Sequence, residues 1–253
     1  MTVPLLNKSD LGILNKRSLN YKLADAEKDY LLAVVSKLIY DSPLKDKLVF
    51  KGGTAIHHCY IPQTRFSEDL DFTSLDKNIT LDEVKKVLES EDFLEVKKEY
   101  MSDATIKIER LKYNGPLGLS NSLKVEIDYT QNMVLPARTV AYKNAWKVKT
   151  NVKVMDPREI CAEKIRAMSD RARYRDFYDI VLLFRNFKFG IEEITKLIEQ
   201  KEIRKPITQG SILRNWKIAK KERELELSRI YYASNLSNVD VEGVIKKINV
   251  NVR

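Results

Sequence analysis

The spacing of apolar residues changes twice along the chain, and this limits the fold more than any other feature of the sequence. From Ala24 to Tyr40, apolar residues recur at helical spacing. From Asp156 the chain again has a helical pattern nearly to its end. Between them, three segments alternate apolar and polar residues as half-buried strands do: 93–101, 104–113 and 123–130. The sequence therefore predicts an α+β domain over residues 1–155 and a helical domain over residues 156–253.

Shorter patterns complete this prediction. Asp156-Pro157-x-Glu159 is a strong helix start, in which Asp caps, Pro suits the first turn and Glu can complete a capping box. It predicts a helix to about Met168, followed by a bend and a second helix to Phe187. The N-terminal part adds two helices (54–60 and 81–89) and three short strands (48–50, 70–72 and 147–154).

Composition narrows the class of protein. Apolar residues make up 43% and charged residues 32%, as in a folded globular chain. The net charge of +9 favours a polyanionic partner, although a basic surface without such a partner would look the same. No apolar run is long enough for a membrane span, so no membrane contact is expected. Cys59 and Cys161 lack metal-type spacing, and we expect two core thiols of a cytoplasmic protein.

Residues 50–72 place a Gly-Gly-Thr turn shortly before an acidic pair, Asp69 and Asp71. Because alternate residues of a strand point to the same face, the two carboxylates share one side of the chain. They repel each other unless a cation lies between them, and carboxylate oxygens suit Mg²⁺ or Mn²⁺. The alternative is that both aspartates are solvent-exposed charges on an edge strand.

A third carboxylate can come from a neighbouring strand. In the stretch from Lys124 to Asp128, Glu126 and Asp128 share a face, and the sequence leaves open which of the two is the third metal ligand.

The turn itself, Gly52-Gly53-Thr54, suits an anion. Glycines allow backbone amides to approach an anion closely at the start of a helix, and Thr54 can add a hydroxyl contact. A nucleoside triphosphate held there would lie near metals bound by the two aspartates, as in-line phosphoryl chemistry requires.

Two blocks of residues carry a family resemblance. The first combines Lys51-Gly-Gly-Thr54 with Arg65-Phe-Ser-Glu-Asp-Leu-Asp-Phe72, and the second combines Asp156-Pro-Arg-Glu-Ile-Cys-Ala-Glu-Lys164 with Arg175-Asp-Phe-Tyr-Asp179. Over about residues 49–184 the chain resembles the AbiEii-type nucleotidyltransferase toxins, MenT-like members of the polymerase-β-like nucleotidyltransferase superfamily. The resemblance implies a core with a mixed sheet flanked by helices, and a helical C-terminal part that contributes Lys and Asp to the active site.

The resemblance also implies roles for single residues. Asp69 and Asp71 would ligate the catalytic metals with Glu126 or Asp128, while Lys164 and Asp179 would be catalytic. The implied nucleotide-binding residues are Gly52, Gly53, Thr54, Arg65, Ser67 and Asp176. From the residues alone, Lys164 could equally be a solvated helix charge, and Asp176 and Asp179 could pair with Arg173 or Arg175.

The function implied is transfer of a nucleoside monophosphate from an NTP to RNA, with the tRNA 3′ acceptor end as the expected target. The family further implies a toxin with a separate cognate antitoxin protein. Two alternatives stay open: a nucleotidyltransferase that modifies a protein or a small molecule, and a catalytically inert module that binds RNA or a protein partner.

Three further features bear on binding. The segment from Lys201 to Arg223, both included, contains eight Lys or Arg residues, and Trp216 among them could stack on RNA bases or be buried. A cluster of arginines at positions 166, 171, 173 and 175 could contact phosphates. His57 and His58 are adjacent on a predicted helix and point about 100° apart, so we expect no shared metal ion there.

Overall fold

The chain forms two compact units in a computed structural model that describes residues 4–201, 203 and 205–252. The first, here called the sheet unit, comprises the residues up to Tyr60 together with 66–130 and 137–154. The second, here called the helical unit, comprises the residues from Met155 onward together with Ile61–Arg65 and Gln131–Pro136. Two short segments that precede Met155 in the chain thus belong to the helical unit.

The sheet unit begins with three helices and ends with five consecutive strands. Its helices are α1 (Lys8–Arg17), α2 (Leu23–Tyr40), α3 (Leu44–Lys47), α4 (Gly52–Ala55) and α5 (Leu81–Leu88), with a π-helical turn at Ile56–Tyr60 after α4. Its strands are β1 (Leu48–Lys51), β2 (Asp69–Ser74), β3 (Leu94–Met101), β4 (Thr105–Asn114), β5 (Ser120–Asp128), β6 (Arg138–Ala141) and β7 (Asn151–Val154).

These strands form one mixed sheet in the order β3-β4-β5-β2-β1-β7-β6. β2 pairs in parallel with β5 and β1 in parallel with β7, while the other neighbours are antiparallel. The predicted α+β fold with a mixed sheet is confirmed. β2 lies in the middle of the sheet, so the alternative that its aspartates sit on an edge strand is wrong.

The side chains on one face of the sheet pack into the apolar core of this unit. Leu70 and Phe72 of β2 are fully buried, and the Phe72 ring packs against Phe50 of β1 and Tyr40 of α2, with centroids 5.3 and 6.3 Å apart. Burial of such side chains is the main stabilising contribution to folding. Because side chains alternate along β2, this packing directs Asp69 and Asp71 to the opposite face.

Most elements of this unit match the sequence predictions within a few residues. The strand predicted over 147–154 is shorter, and β6 was missed because its four residues, RTVA, carry little alternation. α1 was also missed. The helix predicted over 54–60 begins two residues earlier and continues as the π-helical turn, a rare conformation that occurs preferentially near functional sites.

The helical unit contains α6 (Pro157–Asp170), α7 (Tyr174–Asn186), α8 (Ile191–Glu199), α9 (Gln209–Arg229) and α10 (Asn238–Ile245), with a small antiparallel pair of β8 (Ile207–Thr208) and β9 (Asn251–Val252). No helix among the described residues combines the length and apolar character needed to cross a membrane.

The start of α6 follows the predicted pattern in part. The Asp156 side chain accepts a hydrogen bond from Arg158 N at 3.0 Å, with Pro157 in the first turn. The predicted capping box is wrong. Glu159 is fully buried and accepts hydrogen bonds from the backbone amides of Val134 and Leu135 and from Lys201 Nζ, because these donors satisfy its carboxylate inside the unit.

Candidate active site

Gly52 and Asp71 approach each other more closely than any side chain at position 52 would allow. Gly52 begins α4 with φ +79°, a conformation that favours glycine. A Cβ at this position would overlap Asp71 Oδ2 and would lie 3.1 Å from both Cβ and Cγ of Asp71. The Asp71 carboxylate therefore packs directly against the backbone of the glycine turn.

Thr54 links the same turn to the other aspartate. Its hydroxyl donates a 2.6 Å hydrogen bond to the backbone carbonyl of Asp69, and Thr54 is 1% exposed. Gly53 is buried beside it, while the side chains of Asp69 and Asp71 are partly exposed on the outer face of β2. The structure thus brings the glycine turn and the acidic pair together within the sheet unit. The Thr54 hydroxyl thus donates its hydrogen to a backbone carbonyl. The sequence had predicted that this hydroxyl contacts a phosphate.

Strand register decides which residues lie beside the acidic pair. Lys51 of β1 and Glu126 of β5 are the register partners of Asp71, so all three side chains point to one face. Lys124 is the partner of Asp69 in the same way. Sequence reasoning gave no role to Lys51, because its position opposite Asp71 follows only from the pairing of β1 with β2.

The two candidates for the third carboxylate differ in their surroundings. Asp128 lies level with Thr73, its Oδ1 accepts hydrogen bonds from the amide and hydroxyl of Thr130, and its Oδ2 is 3.7 Å from Lys51 Nζ. Glu126 is level with Asp71, its side chain is 46% exposed, and it pairs with Lys107 at 3.2 Å. The register and the exposure favour Glu126.

A metal ion would need ligands beyond the side chains as they stand. Within residues 4–201, 203 and 205–252, no three His, Cys, Asp or Glu side chains are gathered closely enough to hold one. Asp69 and Asp71 nevertheless offer two carboxylates on one face. This donor set fits Mg²⁺, which is commonly bound by one or two carboxylates together with substrate phosphates and water.

The helical unit contains a buried ion network. Asp176 and Asp179 on α7 are fully buried, and Lys164 Nζ on α6 lies 3.0 Å from the former and 2.8 Å from the latter. Arg171 pairs with Asp176 at 2.8 Å, and Arg65 donates two hydrogen bonds of 2.7 Å to Asp179. Lys164 is therefore not a solvated helix charge, and the partners of the aspartates are these three residues rather than Arg173 or Arg175.

The charges in this network shift the pKa values of its members. Burial disfavours the ionised form of Asp176, but the neighbouring charges of Lys164 and Arg171 outweigh it and lower its pKa to about 2. Burial likewise disfavours the charged form of Arg65, and the Asp179 carboxylate more than offsets this, so the Arg65 pKa lies above its ordinary value. Both groups stay charged at neutral pH.

The other predicted residues take varied positions. Arg65 is 2% exposed, and its segment is fastened within the helical unit by hydrogen bonds from Ala233 N and Tyr178 Oη to the carbonyl of Thr64. Ser67 is half-buried in the loop before β2. The nucleotide-binding roles predicted for both stay predictions.

Packing decides between the two alternatives for Trp216 and agrees with the expectation for His58. Trp216 is 3% exposed, with its ring centroid 5.2 Å from that of Phe177, so it belongs to the core and cannot stack on RNA bases. Lys201 is also buried, held by Glu159, and Arg204 lies outside the described residues. His58 packs against Tyr142 and bonds Lys143 O through Nδ1, as expected for a packing residue.

Comparison with known proteins identifies the family. A family model described as the AbiEii nucleotidyl transferase toxin of a type IV toxin–antitoxin system matches residues 34–243. The chain belongs to this family. It is therefore a nucleotidyltransferase of a toxin family, and the type IV toxin–antitoxin assignment implies a cognate antitoxin.

Solved structures share the fold of this AbiEii-family protein. The nucleotidyltransferase toxin MenT4 from Mycobacterium tuberculosis H37Rv matches with a TM-score of 0.63 and 17% identity, over 94% of this chain and 99% of that chain. A putative nucleotidyltransferase from H. pylori matches with a TM-score of 0.56 and 19% identity, over 90% and 97% of the two chains. No curated protein sequence matches.

Proposed function

We propose that this AbiEii-family protein transfers a nucleoside monophosphate from an NTP to RNA, at the 3′ acceptor end of tRNA, in a reaction that depends on Mg²⁺ or Mn²⁺. The observation that carries the proposal is the packing of the Asp71 carboxylate against Gly52, with Glu126 level with it on the next strand. This arrangement joins an acidic pair to a backbone turn that an anion can approach closely.

The step is an in-line substitution at phosphorus. The 3′-hydroxyl oxygen of the acceptor forms a bond to the α-phosphorus, the bond from that phosphorus to the bridging oxygen breaks, and pyrophosphate leaves. The hydroxyl proton passes to water. The backbone at Gly52 and Gly53 would hold the triphosphate, and the carboxylates would keep the acceptor oxygen and the α-phosphate in register.

Asp69 and Asp71 would hold the divalent ion, with Glu126 as the third carboxylate. When bound, the ion supplies charge neutralisation on the triphosphate and favours ionisation of the attacking hydroxyl. The catalytic roles of Lys164 and Asp179, and the nucleotide contact of Asp176, rest on the sequence resemblance and are part of the proposal.

An RNA acceptor is supported by charge. The chain carries 45 Lys and Arg against 36 Asp and Glu, an excess that suits a polyanion and disfavours a cationic small molecule. NTPs and tRNA are cytoplasmic substrates, and both buried cysteines are free thiols, so we propose that the protein acts in the cytoplasm beside its antitoxin.

An incorporation assay with Asp69→Asn tests the proposal. Wild type, Asp69→Asn and the exposed control Asp92→Asn are incubated with Mg²⁺, total tRNA and each α-labelled NTP in turn. We expect label on tRNA for wild type and the control, and a loss of about two to three orders of magnitude in rate for Asp69→Asn, as for the removal of an electrostatic transition-state contact.

Other outcomes contradict parts of the proposal. Label on polypeptide and none on RNA would make a protein the acceptor. Equal cellular toxicity of wild type and Asp69→Asn, with no label on any acceptor, would instead support a binding module without catalysis. A reaction unaffected by removal of divalent ions with EDTA would overturn the metal requirement.

A further inference from the structure

A continuous row of side chains crosses the outer face of the sheet from the acidic pair to the edge strand. Asp71 is level with Glu126 of β5, Glu126 with Lys107 of β4, and Lys107 with Tyr100 of β3. Register partners point to the same face, so Tyr100 shares the face of Asp71. Three strand spacings separate the two residues, about 14 Å.

Tyr100 is unusually exposed for its size. It is 53% exposed at the edge of the sheet. Among the described residues, its ring makes no contact with another aromatic ring or cation. The phenol ring therefore offers a free surface, and base–aromatic stacking is the main non-ionic contact of proteins with single-stranded nucleic acid.

Basic side chains accompany this row. Lys124 lies level with Asp69 and is exposed. Lys107 is paired with Glu126, and Lys98 of β3 is paired with Glu109. Cations beside an exposed aromatic ring are complementary to phosphates on either side of a stacked base.

Protection of the sheet edge does not account for this row. Lysines on an edge strand discourage pairing with other chains, and Lys97 and Lys98 can serve that purpose. An exposed tyrosine has no such effect, and Lys107 and Lys124 lie on inner strands.

We propose that the single-stranded 3′ end of the acceptor RNA lies across the sheet along this row, with a base stacked on Tyr100 and phosphates contacted by Lys107 and Lys124. The proposal rests on the proposed function, since it places the reacting 3′ hydroxyl at Asp71. It adds a residue, Tyr100, that sets RNA affinity without touching the reacting atoms.

Binding and transfer measured separately test this placement. The ligand is a ten-nucleotide single-stranded RNA with a free 3′ hydroxyl, and its Kd is measured without NTP. We expect Tyr100→Ala to raise the Kd and the RNA KM about tenfold, within the range for loss of one base stack, with kcat and the NTP KM unchanged. Tyr100→Phe keeps the ring and should match wild type.

Met101→Ala is the matched control. Met101 is the next residue of the same strand, is 48% exposed, and is the register partner of Ile106, so it points to the opposite face. Its substitution should leave RNA binding unchanged.

The outcomes distinguish failure of the RNA placement from failure of the proposed transfer reaction. An RNA Kd unchanged by Tyr100→Ala, or equal weakening by Met101→Ala, would overturn the placement. No RNA binding by wild type would also overturn it. Weakened binding in Tyr100→Ala with no nucleotide transfer by wild type would sustain the row while refuting the transfer reaction. If Tyr100→Ala loses antitoxin binding while its RNA Kd is unchanged, this face binds a protein, and the proposal is overturned.

Discussion

At the scale of single residues, the candidate site depends on one glycine. Gly52 combines a positive φ of 79° with the close approach of the Asp71 carboxylate, so both its conformation and its lack of a side chain are used. The adjacent Thr54 hydroxyl fastens the turn to the backbone of Asp69. The orientation of the acidic pair is therefore coupled to the conformation of residues 52–54.

Gly52→Ala should destabilise the protein and impair transfer. We expect a loss of at least about 1–2 kcal/mol in the free energy of unfolding from the left-handed backbone alone, and a further loss from displacement of Asp71. Urea denaturation measures the stability, and nucleotide incorporation measures the activity.

Gly12→Ala is the control for this substitution. Gly12 lies inside α1, and a methyl group added there would meet no atom within 4 Å, so alanine should stabilise by about 0.5–1 kcal/mol. Equal stability and activity of Gly52→Ala and wild type would refute the role assigned to the glycine.

At the scale of elements, α6 and α7 are joined by charge as well as by apolar packing. Lys164 on α6 contacts both aspartates of α7, and Arg171 in the connection between the helices adds a second partner for Asp176. A buried carboxylate without its cations would carry a large desolvation penalty. The network therefore specifies how these two helices pack.

The low pKa of Asp176 predicts a particular pH dependence. Its pKa falls from 3.8 to about 2 on folding, so its ionisation stabilises the folded state above pH 4, and this contribution of about 2 kcal/mol is lost as the pH falls through about 2. The difference in unfolding free energy between wild type and Asp176→Asn should be constant from pH 8 to 5 and narrow below pH 4. Urea denaturation across this range measures it, and a gap that changes between pH 5 and 8 would contradict the assignment.

At the scale of the whole molecule, the excess of nine positive charges predicts that the proposed RNA binding weakens as the salt concentration rises. The structure divides the basic residues into those on the sheet face, such as Lys124, and those on α9, such as the exposed Lys217. If the acceptor lies on the sheet face, the two groups should contribute differently to the salt dependence.

Lys124→Ala should lower the slope of log Kd against log salt by about 1, because one phosphate contact and its counterion release are lost. Lys217→Ala should leave the slope unchanged. The slope is obtained from Kd values for the RNA oligonucleotide between about 50 and 200 mM salt. An effect of Lys217→Ala as large as that of Lys124→Ala would argue against preferential binding on the sheet face.

The sequence by itself determined the motifs and many, though not all, of the elements: α1 and β6 were missed. Local periodicity predicted α2, the strands β3 to β5 and the helices α6 and α7, and the Gly-Gly-Thr turn with Asp69 and Asp71 was visible as a pair of motifs. These features were predictable because each is encoded within a few residues: a period of 2 or 3.6, a capping aspartate, or a glycine pair.

The tertiary structure decided which distant residues meet. Alternation along β5 shows that Glu126 and Asp128 share a face, but a shift of register by two residues preserves that face and changes which of them lies level with Asp71. The row from Asp71 to Tyr100, the pairing of Arg65 with Asp179 and the burial of Trp216 likewise come from contacts between segments far apart in the chain. Such pairings depend on the packing of the complete core, and no local pattern specifies them.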